Sequence, residues 1–164
     1  TFGAIKGGIR YNIIPDSVEM VGTIRTFDPD MRKQIFADLR NVAEHTAAAH
    51  GATAVTDIYE KDGNPATVND PALTARMLPS LQAVVGKGNV YEPPLQMGSE
   101  DFSLYAQQVP SMFFFVGSTG AGIDPATAPS NHSPKFLLDE KALDVGLRAL
   151  LQVSLDYLHG DKAG

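Results

Sequence analysis

Alternating apolar and polar residues near the start of the chain are typical of a strand with one buried face. Val18, Met20 and Ile24 fall on one face of this pattern. Residues 2–5 and 9–14 predict a preceding strand that is interrupted at Gly7 and Gly8, and the proline-containing stretch at residues 14–17 predicts a turn. The start of the chain is therefore expected to form a β-hairpin.

A helical period follows the hairpin. Asp28 precedes Pro29, as an N-cap residue precedes a proline at the first helical position, and Gly51 lies where a left-handed C-terminal cap is expected. Between them, apolar or small residues recur at helical spacing and are expected to face inward. These residues are Met31, Ile35, Leu39, Val42, Thr46 and Ala49.

Three more helices are predicted. Asp70 and Pro71 cap one whose inward residues are Leu73, Met77, Leu81, Val84 and Val85, and a brief helix ends before Val109. Asp139 caps the last, which ends near Gly160. Its inward residues are Leu143, Ala149, Leu150, Val153 and Tyr157.

Further strands are predicted at residues 53–59, near Val90, and at residues 113–116, where a continuous apolar run indicates burial on both faces. The first sixty residues then have the order β-β-α-β, which matches the tail of a ferredoxin-like β-α-β-β-α-β unit. Turn residues at 63–65 indicate that the chain divides near residues 63–70. The overall pattern predicts an α/β protein with two parts.

Composition narrows the classes of function. The net charge of -6, without a basic stripe, argues against nucleic-acid binding. No apolar run approaches the roughly 18 residues of a membrane span, so no membrane partner is expected. The chain has 0 cysteines, so any metal ligand is a histidine or a carboxylate. Composition does not distinguish a cytoplasmic from a periplasmic location.

One histidine stands out. His132 ends a long loop and lies between Pro129 and Pro134, which stiffen the backbone on both sides, as suits a pre-positioned metal ligand. A catalytic zinc normally takes about three protein ligands, so one imidazole makes only part of a site. The alternative is a surface histidine with a local hydrogen bond.

Two further polar sets are candidates for chemistry. Glu100 and Asp101 could orient groups beside a metal, or simply charge the start of the next helix. Asn12 and Arg25 flank the hairpin, and Arg25 could offer its guanidinium fork to a carboxylate or have no specific partner. Residues 117–122 lack the lysine of a phosphate-binding loop.

Four motifs together resemble one enzyme family: NIIPD at residues 12–16, GTIR at 22–25, MGSEDF at 97–102 and NHSP at 131–134. The resemblance is to the dimetal amidohydrolases that include hippurate hydrolase, N-acyl-amino-acid amidohydrolase and the auxin-conjugate hydrolases. It implies a truncated ferredoxin-like lid and dimerisation domain at residues 1–62. Residues 63–164 would be the C-terminal part of an aminopeptidase-like α/β catalytic domain.

The resemblance also implies roles. His132 matches the last metal ligand, Asn12 and Arg25 match lid residues that contact substrate, and Gly117 matches a position whose backbone approaches substrate. Glu100 matches an acidic loop residue beside the metals. Family members bind two divalent ions, so Zn, Mn, Co or Ni is expected. The other ligands and the general-base glutamate are expected upstream of Thr1.

The function implied by the resemblance is metal-dependent hydrolysis of the amide bond in N-acyl amino acids or related small peptides. It further implies a homodimer, formed through the lid helix and an edge strand. Two alternatives stay open. The chain alone could be a non-catalytic scaffold or dimerisation piece, or it could be a ligand-binding module that kept the fold without the metals.

Overall fold

The computed structural model describes residues 1–60 and 63–160. An antiparallel pair of strands, β1 (Phe2–Gly7) and β2 (Val18–Gly22), comes first and is followed by helix α1 (Pro29–Ala49). Helix α2 (Pro71–Val85), a 3-10 turn (Lys87–Asn89), and helices α3 (Phe102–Ala106) and α4 (Lys141–Gly160) complete the order. The mixed α/β class predicted from the sequence pattern is confirmed.

The chain forms two compact units. The first comprises Thr1–Ala66 together with Met97–Asp101, and the second comprises Thr67–Gln96 together with Phe102–Gly164. The domain boundary predicted at residue 62 lies outside the described residues. Assignment of residues 1–62 to a lid and of 63–164 to a catalytic domain stays a prediction.

The predicted hairpin is present, but it is shorter and more exposed than the pattern suggested. Ile5 pairs with Met20 and Gly7 with Val18, after which Gly8 turns away with a φ of 73°. Residues 9–14 were predicted to be a strand and form turns instead. Val18 and Met20 are both more than half exposed, so the predicted buried face of β2 is wrong for this chain.

Helix α1 begins and ends as predicted. The Asp28 carboxylate accepts a hydrogen bond of 2.6 Å from the Met31 amide, and Gly51 adopts a φ of 70° just beyond the helix. The inward face is only partly as expected. Met31 and Val42 are exposed, whereas Phe36 is buried and has the Arg32 guanidinium 5.3 Å from its ring centre.

The second unit is built on helices α2 and α4, which pack against each other. Asp70 caps α2 by accepting from the Leu73 amide at 2.7 Å, as predicted. Met77 on α2 and Ala149 on α4 are buried at this contact. Of the other residues predicted to face inward from α4, Val153 is half-buried, but Leu143, Leu150 and Tyr157 are exposed.

A buried hydroxyl joins the same two helices. Ser80 on α2 is buried, and its hydroxyl lies close enough to the Asp156 carboxylate on α4 to affect its pKa. Asp156 accepts from the Gln152 amide at 2.9 and 3.0 Å. Gln152 and then Ser80 lower the pKa of Asp156, because they favour its charged form.

Three predicted strands are not strands in the structure: residues 53–59, the stretch near Val90, and residues 113–116. A strand requires a neighbouring strand to share its backbone hydrogen bonds, and within the described residues only β1 and β2 provide each other with one. At residue 113 a side chain takes that place. Asn69 donates to the Phe113 carbonyl and accepts from the Phe113 amide, each at 2.8 Å.

Candidate metal and substrate residues

His132 lies in a tight turn that the sequence did not reveal. The Ser133 amide donates to the Ser130 carbonyl at 2.8 Å, so Asn131 and His132 occupy the two central positions of a β-turn. The Ser133 hydroxyl then accepts from the Lys135 amide at 3.1 Å. His132 is exposed. The turn, in addition to Pro129 and Pro134, therefore restricts the backbone that presents the imidazole.

The loop before His132 is stabilised at two points. The Asp124 carboxylate accepts from the Ala126 amide at 2.9 Å, and the Asp124 carbonyl accepts from the amides of Thr127 and Ala128. At the beginning of the loop, the Ser118 carbonyl accepts a hydrogen bond of 2.9 Å from the Asp139 amide, which lies just before α4. The long loop is consequently a series of hydrogen-bonded turns.

Gly117 precedes the anchored Ser118. It is exposed, and a Cβ built at this position would meet no other atom within 4 Å. Open space beside a backbone is compatible with the close approach of a ligand. Its role in substrate binding stays a prediction.

Arg25 has a partner that sequence reasoning missed. Its Nη1 atom donates to the carbonyl of Met97, although the two residues are 72 positions apart. Arg25 follows β2, and Met97 begins the segment Met97–Asp101, which is compact with the first unit. The arginine therefore binds the motif loop that contains Glu100.

Glu100 is half-buried in this loop. Its neighbour Ser99 accepts a hydrogen bond of 3.1 Å from the Asn64 side-chain amide. Helix α3 begins at Phe102, so both Glu100 and Asp101 precede it. The loop therefore has side-chain contacts on either side of Gly98.

Asn12 lies in the connection between β1 and β2. It is exposed within a turn in which the Ile13 amide donates to the Arg10 carbonyl at 3.4 Å. The five predicted site residues are thus divided between the units. Asn12, Arg25 and Glu100 belong to the first unit, and Gly117 and His132 belong to the second.

The side chains that could bind a metal ion decide whether this chain could hold a metal centre by itself. Across residues 1–60 and 63–160, no group of three or more His, Asp or Glu side chains could hold a metal ion. A catalytic metal normally needs about three such ligands. The described residues therefore do not fit a complete metal centre, and His132 offers a single imidazole.

Across residues 1–60 and 63–160, no helix has the length and apolar character to cross a membrane.

Long-range contacts explain what sequence reasoning missed. Arg25 and Asn64 each bind the motif loop through one side-chain donor, and no local pattern reports such a pair. For the contact between Asn69 and Phe113, one signal was present in the sequence. Asn69 stands directly before the predicted cap Asp70, and a side-chain amide there can bond to a neighbouring backbone.

Most of this chain matches a known protein family. The model of "Peptidase family M20/M25/M40" matches residues 6–156. A solved structure, that of the YXEP protein of Bacillus subtilis, described as a dinuclear metal binding peptidase, aligns with a TM-score of 0.73. The two sequences are 29% identical, and the alignment covers 97% of this chain and 41% of that one.

Curated relatives agree with this match. The chain is 35% identical to thermostable carboxypeptidase 2 of Saccharolobus solfataricus over 93% of its own length and 37% of the relative. It is 34% identical to the IAA-amino acid hydrolase ILR1-like 4 of Arabidopsis thaliana, over 96% of its own length and 36% of the relative. The chain thus spans little more than a third of these relatives.

Proposed function

This chain belongs to peptidase family M20/M25/M40, and we propose that the whole protein hydrolyses the amide bond of N-acyl amino acids or related small peptides. The family match across residues 6–156 carries the proposal. It is supported by two relatives, one named a carboxypeptidase and one an IAA-amino acid hydrolase. Both names indicate an amino acid on one side of the cleaved bond.

Arg25 and Asn12 are proposed to contact the substrate. A guanidinium is always charged and presents donors in a rigid fork, which suits the free carboxylate of an amino acid. Arg25 is exposed, as a group that meets an incoming ligand must be. The open backbone at Gly117 supports its proposed place beside the substrate. Binding at these positions would orient the amide bond for attack.

His132 is proposed to be one ligand of a site for two divalent ions, such as Zn, Mn, Co or Ni. The dinuclear metal binding peptidase YXEP supports the number of ions. Because no group of three or more ligand side chains occurs within residues 1–60 and 63–160, His132 would share the ions with ligands, and with a general base, from elsewhere in the whole protein. Glu100 is proposed to orient groups beside that site.

The two units are proposed to have separate tasks. The order β1, β2, α1 of the first unit suits the later part of a ferredoxin-like lid and dimerisation domain. The second unit would be the C-terminal part of the catalytic domain. A homodimer formed through the lid is part of this proposal.

One alternative concerns the isolated chain. In it, the 164-residue polypeptide on its own acts as a scaffold or dimerisation piece without catalysis. This alternative concerns the isolated chain and leaves the proposal for the whole protein intact.

One experiment tests both the proposal for the whole protein and the alternative for the isolated chain. Divalent metal content and hydrolysis of an N-acetyl amino acid would be measured for the whole protein and for the 164-residue chain, with the corresponding C-terminal amide as a control substrate. We expect metal binding and cleavage by the whole protein, with a preference for the free carboxylate, and neither by the chain alone. A metal-loaded whole protein that cleaves no N-acyl amino acid or small peptide would contradict the proposal.

A further inference from the structure

We propose that Arg25 is a positioning residue for the loop Met97–Asp101, in addition to any contact with substrate. Its guanidinium donates to the Met97 carbonyl and so sets the position of Glu100, three residues further along. The inference deepens the proposed function, on which it rests for the assignment of Glu100 to the site. The contact itself is independent of that assignment.

Two side chains of the first unit bind the loop. Arg25 binds the carbonyl of Met97, and the Asn64 side chain donates to the Ser99 hydroxyl at 3.1 Å. These contacts lie on either side of Gly98. Asn64 is itself next to Gly63, whose carbonyl accepts from Arg32 of helix α1 at 3.5 Å. Both side chains that bind the loop therefore belong to the first unit.

Most of this loop is exposed to solvent. Met97 is 50% exposed, and Gly98 has open space where a side chain would be. Residues 97–100 contain no helix or strand, so no ladder of backbone hydrogen bonds holds them. The loop nevertheless belongs to the first unit, whereas the residues on both sides of it belong to the second. Arg25 and Asn64 are two described side chains that bind the loop to this unit.

Arginine is well suited to the task. A bond from a charged donor to a carbonyl is stronger than one between neutral groups, and the planar guanidinium loses little freedom when it forms the bond. A lysine could still donate to the Met97 carbonyl, but without the fork. Replacement by lysine should therefore retain part of the effect, and replacement by alanine none of it.

The absence of cysteine from the sequence allows a direct test in the 164-residue chain. A spin label on Gly98→Cys would report the mobility of the loop, since a side chain there meets no atom within 4 Å. Gly88→Cys, in the 3-10 turn of the second unit, is equally open and provides the reference position. Each label would be combined with Arg25→Ala, Arg25→Lys and, as a matched control, Arg10→Ala.

We expect Arg25→Ala to raise the ratio of mobile to immobile label at position 98 by about tenfold or more, the usual effect of losing one hydrogen bond from a charged donor. Arg25→Lys should give an intermediate ratio, Arg10→Ala none of the change, and position 88 no change in any variant. An unchanged spectrum at position 98 in Arg25→Ala overturns the proposal. So does an equal increase at positions 98 and 88, which would mean that Arg25 supports the fold in general. Hydrolysis does not enter these spectra, so failure of the proposed activity is distinguishable from failure of the positioning role.

Discussion

Asn69 bonds to both backbone polar groups of Phe113, donating through Nδ2 to the carbonyl and accepting through Oδ1 from the amide, each at 2.8 Å. The next residue, Asp70, donates its amide to the Ser111 carbonyl at 2.8 Å. The segment before α2 is thus joined to residues 111–113 as one strand is joined to another, with a side chain replacing a backbone. Ser111 is buried, so these groups have little access to water.

Asn69→Ala should lower the free energy of unfolding by about 1 to 3 kcal/mol, because it leaves a half-buried amide and carbonyl of Phe113 without their partner. Denaturant unfolding, followed by circular dichroism, measures the change. Asn69→Asp, which keeps the acceptor and loses the donor, should be intermediate. Asn131→Ala, on an exposed turn, is the control. Equal stability of Asn69→Ala and Asn131→Ala would show that the pairing contributes nothing.

Stability should fall in acid in a way that depends on Asp156. Its pKa is lowered in the folded chain by Gln152 and then Ser80, so the folded value lies below the ordinary value of an aspartate in the unfolded chain. The stabilisation is present above the unfolded pKa and is lost as the pH falls through the folded pKa. Unfolding measured from pH 7 to pH 2 should show a smaller acid-induced loss in Asp156→Asn. An identical pH profile for both proteins would disprove the contribution.

Gly51→Ala should destabilise the chain by about 1 kcal/mol, since a φ of 70° is costly for any residue with a Cβ. The amides of Gly51 and Ala52 donate to Ala48 and Ala47 at 3.1 and 2.9 Å, and these bonds require that conformation. Gly88→Ala, which has open space and no positive φ, should change stability by less than about 0.5 kcal/mol. A thermal unfolding comparison decides between them, and equal melting temperatures would argue against the glycine requirement.

His132→Ala in the whole protein should reduce metal affinity by at least about 100-fold, because losing a group that only orients a ligand already costs 10- to 100-fold. Activity should fall with metal content. His159→Ala, an exposed histidine in the last turn of α4, provides the matched control. Elemental analysis and turnover would be measured on the same samples. Full metal content in His132→Ala would exclude it as a ligand.

Arg25→Ala in the whole protein should raise KM for N-acyl amino acids by about 10- to 100-fold, the usual effect of losing a hydrogen bond to a charged partner. Metal content should stay the same. The control substrate is the C-terminal amide, which lacks the carboxylate and should show only the smaller rise in KM that comes from release of the Met97–Asp101 loop. If KM rises equally for both substrates, Arg25 does not recognise the carboxylate.

Local signals predicted the helices of this chain well. Asp28 with Pro29, and Asp70 with Pro71, mark helix starts at which the cap bond spans only three residues. The cap, the turn and the glycine that ends α1 are all decided within a few positions along the chain. Their geometry therefore follows from residue type and spacing alone.

The motif loops were also located from the sequence, but their contacts were not. His132 was recognised between two prolines, yet the Ser130–Ser133 hydrogen bond that places it in a turn appeared only in the structure. Arg25 was recognised as a potential fork for a carboxylate, whereas its bond to Met97 spans 72 residues. A contact over that separation depends on how whole elements pack, which a local pattern does not contain.

The sequence by itself determined where helices begin and end, which loop carries the histidine, and the family resemblance that comparison later confirmed. The tertiary structure alone decided which apolar runs become strands and which side chains meet the motif loop. Residues 113–116 have strand composition, but strand pairing requires a partner, and at Phe113 the side chain of Asn69 takes that position. Helix hydrogen bonds close within the segment that makes them, and those of strands and loop anchors close across the fold.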